Sequence, residues 1–256
     1  MNEEPAVLTE TRNRVLVITI NRPDQRNAVN RAVAEGMSGA LDQLDGEPGL
    51  SVGVITGAGK GFCAGMDLKA FVAGERPYAG DRGFAGITQR SAEKPLIAAV
   101  EGFALAGGLE VALACDLIVA SRGARLGIPE VKRSLVAAAG ALLRLPKSLP
   151  RTVAMELALT GEPLPAERAY ELGLVNRLAE PGQALTEALA LAETIAANGP
   201  LALAAVKRIM VQAGDWPESE FFARQQEIVA PVMASEDARE GAVAFAEKRP
   251  PEWKGR

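Results

Sequence analysis

Two acidic residues stand out by their surroundings. Glu110 follows a pair of glycines in AVEGFALAGGLEVALACDLIVA (residues 99–120), an almost wholly apolar stretch. Glu130 follows a proline in LGIPEVKRSLVAAAGALLRLP (126–146), again in mostly apolar company. A carboxylate taken out of water without partners is costly, so it shifts its pKa or finds compensation. Each of these side chains therefore sits either at the surface or in a site, where it would do acid–base work. For Glu130 the ordinary alternative is a helix-start glutamate favoured by the macrodipole. The 256 residues include no histidine. That excludes Ser-His-Asp triads, Cys-His pairs and His-ligated metals, and leaves proton transfer to Glu, Asp, Lys, Tyr or Cys. Cys63 and Cys115 make neither a disulfide framework nor a metal knuckle and read as small buried thiols.

Two glycine-bearing turns accompany the acids. TGAGKGFCAGMDL (56–68) and FALAGGLEVALACD (103–116) each run from a strand end toward a helix. Glycines let a backbone approach a ligand closely, and free N–H groups at a helix start attract negative charge. The first turn is not a Walker loop, because Lys60 is followed by Gly61 instead of Ser or Thr. Gly59-x-Gly61-x-x-Ala64 loosely fits a dinucleotide fingerprint, but the long stretch 71–90 follows where a quick second strand should. Either turn alone is compatible with a tight bend of no chemical consequence. Together, one N–H from each could grip a single oxygen, which is the design of an oxyanion hole.

The elements that would carry these residues follow from periodicity. RVLVITINRP (14–23), SVGVITG (51–57), PLIAAVEG (95–102) and CDLIVAS (115–121) read as buried strands. Between the first two, Val33, Met37, Ala40, Leu41 and Leu44 recur at helical spacing until Gly46 and Pro48 stop them. The front half thus repeats a strand–loop–helix unit. After about residue 150 the pattern is helical, with LGLVNRL (172–178) as a short extended exception. FVAGERPYAGDRGFAGITQR (71–90) is long enough to be a lid or an ordinary mobile connection. With 32 acidic and 28 basic residues the net charge is −4, and no like-charged block suggests nucleic acid or a membrane surface. The N-terminus has no signal-peptide pattern and no run of apolar residues spans a bilayer, so a soluble cytoplasmic protein with a small-molecule partner is expected.

Taken in order, these stretches resemble the enoyl-CoA hydratase/isomerase, or crotonase, family. NRPDQRNAVN (21–30), GKGFCAGMDL, ALAGGLEVALACDLIVA and LGIPEVKRSLV carry the resemblance, and LTGEPLPAERAYELGLVN (159–176) and SEDAREGAVAFAEKRPPEWKG (235–255) extend it to the C-terminus. It implies an α/β fold, a spiral of ββα turns over residues 1–195, with a helical region, 196–256, that assembles trimers or dimers of trimers. It also implies an acyl-CoA substrate, with coenzyme A entering as part of that substrate and no separate cofactor or metal. By the same resemblance Met66 and Gly107 supply the oxyanion amides, and Arg26, Ala28, Ala64, Asp67 and Leu68 lie along the coenzyme A loops.

Glu110 and Glu130 then occupy the two acidic positions of the family's hydratases. Glu110 would orient and deprotonate water while Glu130 supplies the α-carbon proton. Two carboxyls in one desolvated pocket repel when both ionise, so the pair is expected to share a proton near neutrality. The expected reaction is reversible hydration of a 2-enoyl-CoA, with carnitinyl-CoA dehydration as a variant suggested by LLRLPKSLP (142–150). The alternatives are double-bond isomerisation, another reaction of the family, or non-catalytic acyl-CoA binding. Ser134 to Ala141 replaces a proline- and glycine-rich run of the family, with Ala138 where glycine often lies near the reacting water and Lys132 and Arg133 at usually apolar places.

Overall fold

In the computed structural model, which describes residues 4–256, β-branched runs form a six-stranded sheet flanked on both faces by helices. The first two strands, β1 (Val7–Arg12) and β2 (Val15–Ile20), form an antiparallel hairpin. Helix α1 (Arg31–Gly46) follows, its first turn capped by the Asn30 side chain accepting from the Val33 amide. Val33, Met37, Leu41 and Leu44 are all buried, as their spacing predicts. Strand β3 (Val52–Gly57) joins β2 in parallel, and the first glycine turn then leads to α2 (Leu68–Val72).

The stretch expected to be a lid or mobile connection is instead anchored in its second half. It holds a two-residue hairpin of β4 (Tyr78–Ala79) and β5 (Gly83–Phe84). Arg82, 1% exposed, reaches Asp42 on α1 at 2.6 Å and the carbonyls of Arg90 and Ser91, while Phe84, Ala85, Ile87 and Thr88 are buried. Burial of a cation with its hydrogen bonds fixes such a segment, whereas a lid needs few buried contacts.

The strand–turn–helix repeat is plainest in the middle of the chain. Strand β6 (Leu96–Val100) passes to the short β7 (Phe103–Leu105) and α3 (Gly107–Leu113). Next come β8 (Leu117–Ser121) and β9 (Arg125–Gly127), then a 3-10 turn, Pro129–Arg133. Helices α4 (Ala141–Ser148) and α5 (Arg151–Thr160) precede β10 (Leu164–Pro165) and α6 (Ala166–Glu171). The extended piece expected at 172–178 begins later, as β11 (Arg177–Ala179). The amides of Leu174 and Val175 both bond back to the Ala169 carbonyl and hold the preceding residues in a helix-closing turn.

The main sheet has the order β1-β2-β3-β6-β8-β11, parallel except for its first pair, and β7, β9 and β10 form a second small sheet. Two successive turns, from β6 and β7 to α3 and from β8 and β9 to α4, place one strand in each sheet before a helix, which is the ββα unit of the spiral.

A parallel sheet must be covered on both faces. One face packs Leu16, Ile18, Ile55, Leu96, Ala98 and Val100 against the main core. The other presents Val52, Val54, Ile97, Ala99 and Val119 to α7 (Ala184–Ala196), whose Ala188, Ala192 and Ala196 line up at a spacing of four. Three further helices close the chain: α8 (Pro200–Gln212), α9 (Phe221–Met233) and α10 (Glu236–Glu247). Neither α8 nor α9 has a fully buried residue, and Val206, Met210, Phe222, Met233 and Phe245 stay exposed. Among the described residues no single helix is long and apolar enough to cross a membrane.

Candidate active site

The two glycine turns meet. Phe62 donates to the Phe103 carbonyl, Leu105 donates to the Cys63 carbonyl, and Cys63 and Ala104 form a parallel bridge. Past that bridge the turns stay close: a Cβ built on Gly65, the residue before Met66, would lie 3.0 Å from the Gly107 nitrogen. The approach is close enough that a Cβ on Gly108 would collide with the Cys63 carbonyl oxygen, so only glycine fits there. On the other flank, Val29 bridges to Met66 and Asp67 donates to the Val29 carbonyl at 2.9 Å. These bonds satisfy the amides around Met66 and leave its own N–H without an acceptor among the described residues.

Gly107 is left in the same condition by a different device. Ala106 sits at φ 52°, ψ −130°, a conformation that is strained for a residue with a Cβ, while its amide is tied to the Gly127 carbonyl at 2.8 Å. This turns the chain sharply into α3, so that the Gly107 N–H lies at an open helix start with no carbonyl to accept it. Two unused amides brought together from separate turns are equipped to hold one oxygen and stabilise charge as it develops there.

Glu110 lies one turn into α3, 3% exposed. Its Oε1 accepts the amides of Ala139 at 2.7 Å and Ala141 at 3.1 Å, whereas Oε2 accepts nothing among the described residues. Burial pushes the Glu110 carboxyl above its ordinary range, against the pull of the Ala141 and Ala139 amides and the Arg144 guanidinium. Glu130, half-buried in the 3-10 turn, has a sealed Oε2 with no partner. Burial raises its pKa too, and the negative charge of Glu110 adds to the rise. The two carboxylates therefore share one electrostatic environment, each with an oxygen free for a ligand or a water. A surface pair would have neither property.

The remaining expected residues fall on two loops beside this centre. Arg26 is exposed at φ 52°, and Ala28, Ala64 and Leu68 lie along the same rim. Asp67 caps α2 through the amides of Lys69 and Ala70 and pairs with Arg22 at 3.0 Å. Burial alone would raise its pKa, but the Ala70 amide and Arg22 outweigh it and hold the carboxyl below the usual range. Its carboxylate is thus committed to the scaffold.

Two side chains missed in the sequence do the fastening. Arg22 also donates to the Ala28 carbonyl at 2.6 Å, and buried Asn27 donates to the Ala58 and Gly61 carbonyls while accepting from the Arg22 amide. The only sequence signal for either was its place in NRPDQRNAVN.

Neither thiol is poised for chemistry: burial pushes Cys63 up to about 12, and Cys115 rises for the same reason. Lys132 turns outward to Glu162 at 2.5 Å and Arg133 is exposed, so these two cations lie on the surface. Among the described residues no group of Cys, Asp and Glu converges to hold a metal ion. A cavity of about 910 Å³ lies behind Arg144, between residues 89–93, the end of α3 and helices α8 and α9. Met66, Gly107 and Glu130 are not part of its wall. Unpartnered donors and acceptors, more than volume, mark the reactive centre.

The ββα spiral and the paired turns place the chain in a known class. It belongs to the enoyl-CoA hydratase/isomerase family, whose sequence model matches residues 10–256. It is 43% identical to an enoyl-CoA hydratase of Mycobacterium tuberculosis over 261 residues, covering 98% of this chain and 97% of that one. It is 41% identical to the carnitinyl-CoA dehydratase of Proteus mirabilis over 254 residues, 96% of this chain and 97% of the relative. Among solved structures, an enoyl-CoA hydratase from Mycobacterium tuberculosis superposes with a TM-score of 0.97 at 62% identity, covering 99% of this chain and all of the other. A carnitinyl-CoA dehydratase from Mycobacterium avium gives a TM-score of 0.78 at 49% identity, with 99% of this chain and 100% of that chain covered.

Proposed function

We propose that this chain is an enoyl-CoA hydratase that adds water reversibly across the 2,3 double bond of an acyl-CoA thioester. The observation that carries the reading is the buried Glu110 and half-buried Glu130, each with an oxygen left free, together with two unused amides, one of them at the start of the helix that carries Glu110. The amides of Met66 and Gly107 bind the thioester oxygen and draw charge onto it as an enolate-like transition state forms. Glu110 takes a proton from water, whose oxygen attacks the β-carbon, and Glu130 delivers a proton to the α-carbon.

Environment separates the two acids. Glu110 has two amide donors and faces Arg144, which favour its ionised form. Burial opposes ionisation of both; Glu130 has the Glu110 charge against it as well, with only its own backbone amide and Arg133 pulling the other way. One proton per pair, held on Glu130, is the state this reaction requires.

Dehydration of a carnitinyl-CoA-type 3-hydroxyacyl thioester is the same chemistry in reverse, and relatives named for that activity support it as a second substrate class. Coenzyme A enters as part of the substrate, its phosphates facing Arg26 and its thiol end running along Ala28, Ala64, Asp67 and Leu68; no separate cofactor takes part. We further assign residues 196–256 to an assembly region that forms trimers or pairs of trimers, because the apolar side chains of α8 to α10 are uncovered in one chain. A cytoplasmic location accords with the lack of a single long apolar helix among the described residues.

Loss of the conjugated thioester absorbance of crotonyl-CoA tests the reading. Hydration that disappears in Glu110→Gln and Glu130→Gln supports it. No hydration at any acyl length, or turnover untouched by both substitutions, overturns it.

A further inference from the structure

Arg144 falls within the stretches 126–146 and 142–150 without a role assigned to it above, yet its guanidinium faces Glu110 from α4. Its Nη2 donates to the Thr88 carbonyl at 2.6 Å and Nη1 to the Ala139 carbonyl at 3.4 Å. Ala139 is the residue whose amide grips Glu110 Oε1. Its peptide neighbours are thus held from both sides, carboxylate on the N–H and guanidinium on the C=O. The guanidinium folds so closely over this turn that a Cβ on Gly140, itself at φ +109°, would collide with Nη1. Thr88 belongs to the anchored segment whose Phe84 ring packs against Gly107. Through two carbonyls, one cation therefore joins the mount of Glu110 to the wall beside the oxyanion amide.

Arg144 is half-buried and lines the cavity behind it. Among the described residues Arg144 makes no ion pair, only those two carbonyl bonds. The charged groups facing this centre are few. Glu110 sees Arg144 and Glu130; Glu130 also sees Arg133; Arg144 also faces Cys115, whose thiol burial keeps neutral.

We propose that Arg144 is a positioning residue for the Glu110 base: it clamps the 139–141 turn that holds Oε1 and places its positive charge on the Glu110 side of the carboxyl pair. The proposal rests on the hydration reading for its rate effects only; the clamp and the field exist without substrate. Arginine suits both tasks, because its planar fork spans two acceptors while staying charged. Lysine keeps the charge but offers no fork.

The test compares the wild type with Arg144→Met and Arg144→Lys in crotonyl-CoA hydration across pH, with melting curves as the folding control. Removing the positive charge makes Glu110 easier to protonate. The acid limb of kcat/KM then moves to higher pH in Arg144→Met, and kcat falls about tenfold or more while KM changes little. Arg144→Lys keeps the limb near its wild-type position with a smaller loss of kcat. In a Glu110→Gln background Arg144→Met adds no further loss, because the residue acts through Glu110.

An unmoved acid limb in folded Arg144→Met, or a full additional loss in the Glu110→Gln background, overturns the proposal. Should Arg144→Met fail to fold, the Arg144→Lys profile decides. A limb near its wild-type place with kcat lowered supports the clamp, and kcat equal to wild type overturns it. A wild-type protein that hydrates no enoyl-CoA ends the hydration reading instead. The field is then read by 13C NMR titration of labelled glutamates, with Glu110 identified by its absence in Glu110→Gln. An upward move of its midpoint in Arg144→Met supports the proposal, and an unchanged midpoint refutes it.

Discussion

Replacing Gly65 by alanine should damage catalysis far more than folding. Gly65 sits at φ +97°, next to Met66 and against the Gly107 nitrogen, the two residues whose amides are proposed to hold one oxygen. A Cβ there would lie 2.8 Å from the Ala106 Cβ, 3.0 Å from the Gly107 nitrogen and 3.1 Å from the Leu105 carbonyl oxygen. Two of these three atoms are backbone, so relief comes only by spreading the turns that carry Met66 and Gly107. Left-handed backbone costs a residue with a Cβ about 1–2 kcal/mol. Overpacking adds roughly 1–3 kcal/mol. A domain of this size tolerates that sum as a melting point lower by several degrees.

If spreading takes one amide off the thioester oxygen, kcat falls by about 10²–10³, or roughly 2.7–4 kcal/mol of transition-state stabilisation. Gly173→Ala is the matched control, because Gly173 has φ +85° and nothing within 4 Å of its added Cβ. It carries the backbone cost without the collision. Crotonyl-CoA hydration and thermal melting measured on both variants separate the two effects. A folded Gly65→Ala enzyme with kcat within about threefold of the Gly173→Ala control would refute the assignment of Met66 and Gly107 to one oxygen.

Glu130→Gln should lose about 10²-fold or more in kcat without losing stability. Because burial raises the folded pKa of Glu130, the wild-type carboxyl opposes folding increasingly as pH climbs from 4.5 through that raised value. The variant should therefore melt at or above the wild type near neutrality, with the advantage fading toward pH 4.5 in calorimetry; a variant melting lower at pH 7 but not at pH 4.5 contradicts this. Arg26→Ala should raise KM for the thioester by about tenfold with little change in kcat, and added salt should narrow the difference from wild type; a salt-independent KM removes phosphate from its role. Arg82→Met should cost about 2–3 kcal/mol in denaturant unfolding through lost bonds to Asp42 and two carbonyls. A cost under about 0.5 kcal/mol would mean that residues 82–92 are held by their apolar side chains alone.

What could be read from the sequence follows the reach of each signal. Periodicity is local, so the strands and α1 were legible, as were both glycine turns. The short β1 is exposed on all but its first residue and carries no clean alternation, so it gave no such signal. Glu110 and Glu130 were visible because a carboxylate in an apolar run is anomalous wherever the chain goes. The role proposed for Met66 and Gly107 rests on main-chain N–H groups, which no side-chain type announces; only the resemblance points to them. Arg22, Asn27 and Arg82 work at sequence separations that local pattern cannot see, bonding to Asp67, Gly61 and Asp42 respectively. The Gly- and Arg-rich composition of 71–90 looked like freedom, but Arg82 turned out to be an anchor, because the side chain meets its partners only once α1 is in place.

The mount of Glu110 is made of amide hydrogens from residues 139 and 141, and an amide is offered by every amino acid but proline. The alanines of this turn therefore seat Glu110 as well as any other non-proline residue would. Side chains in this stretch can thus be exchanged without removing the hydrogen bonds that seat Glu110, and Leu135, Val136 and Ala138, all exposed, have room for such exchange.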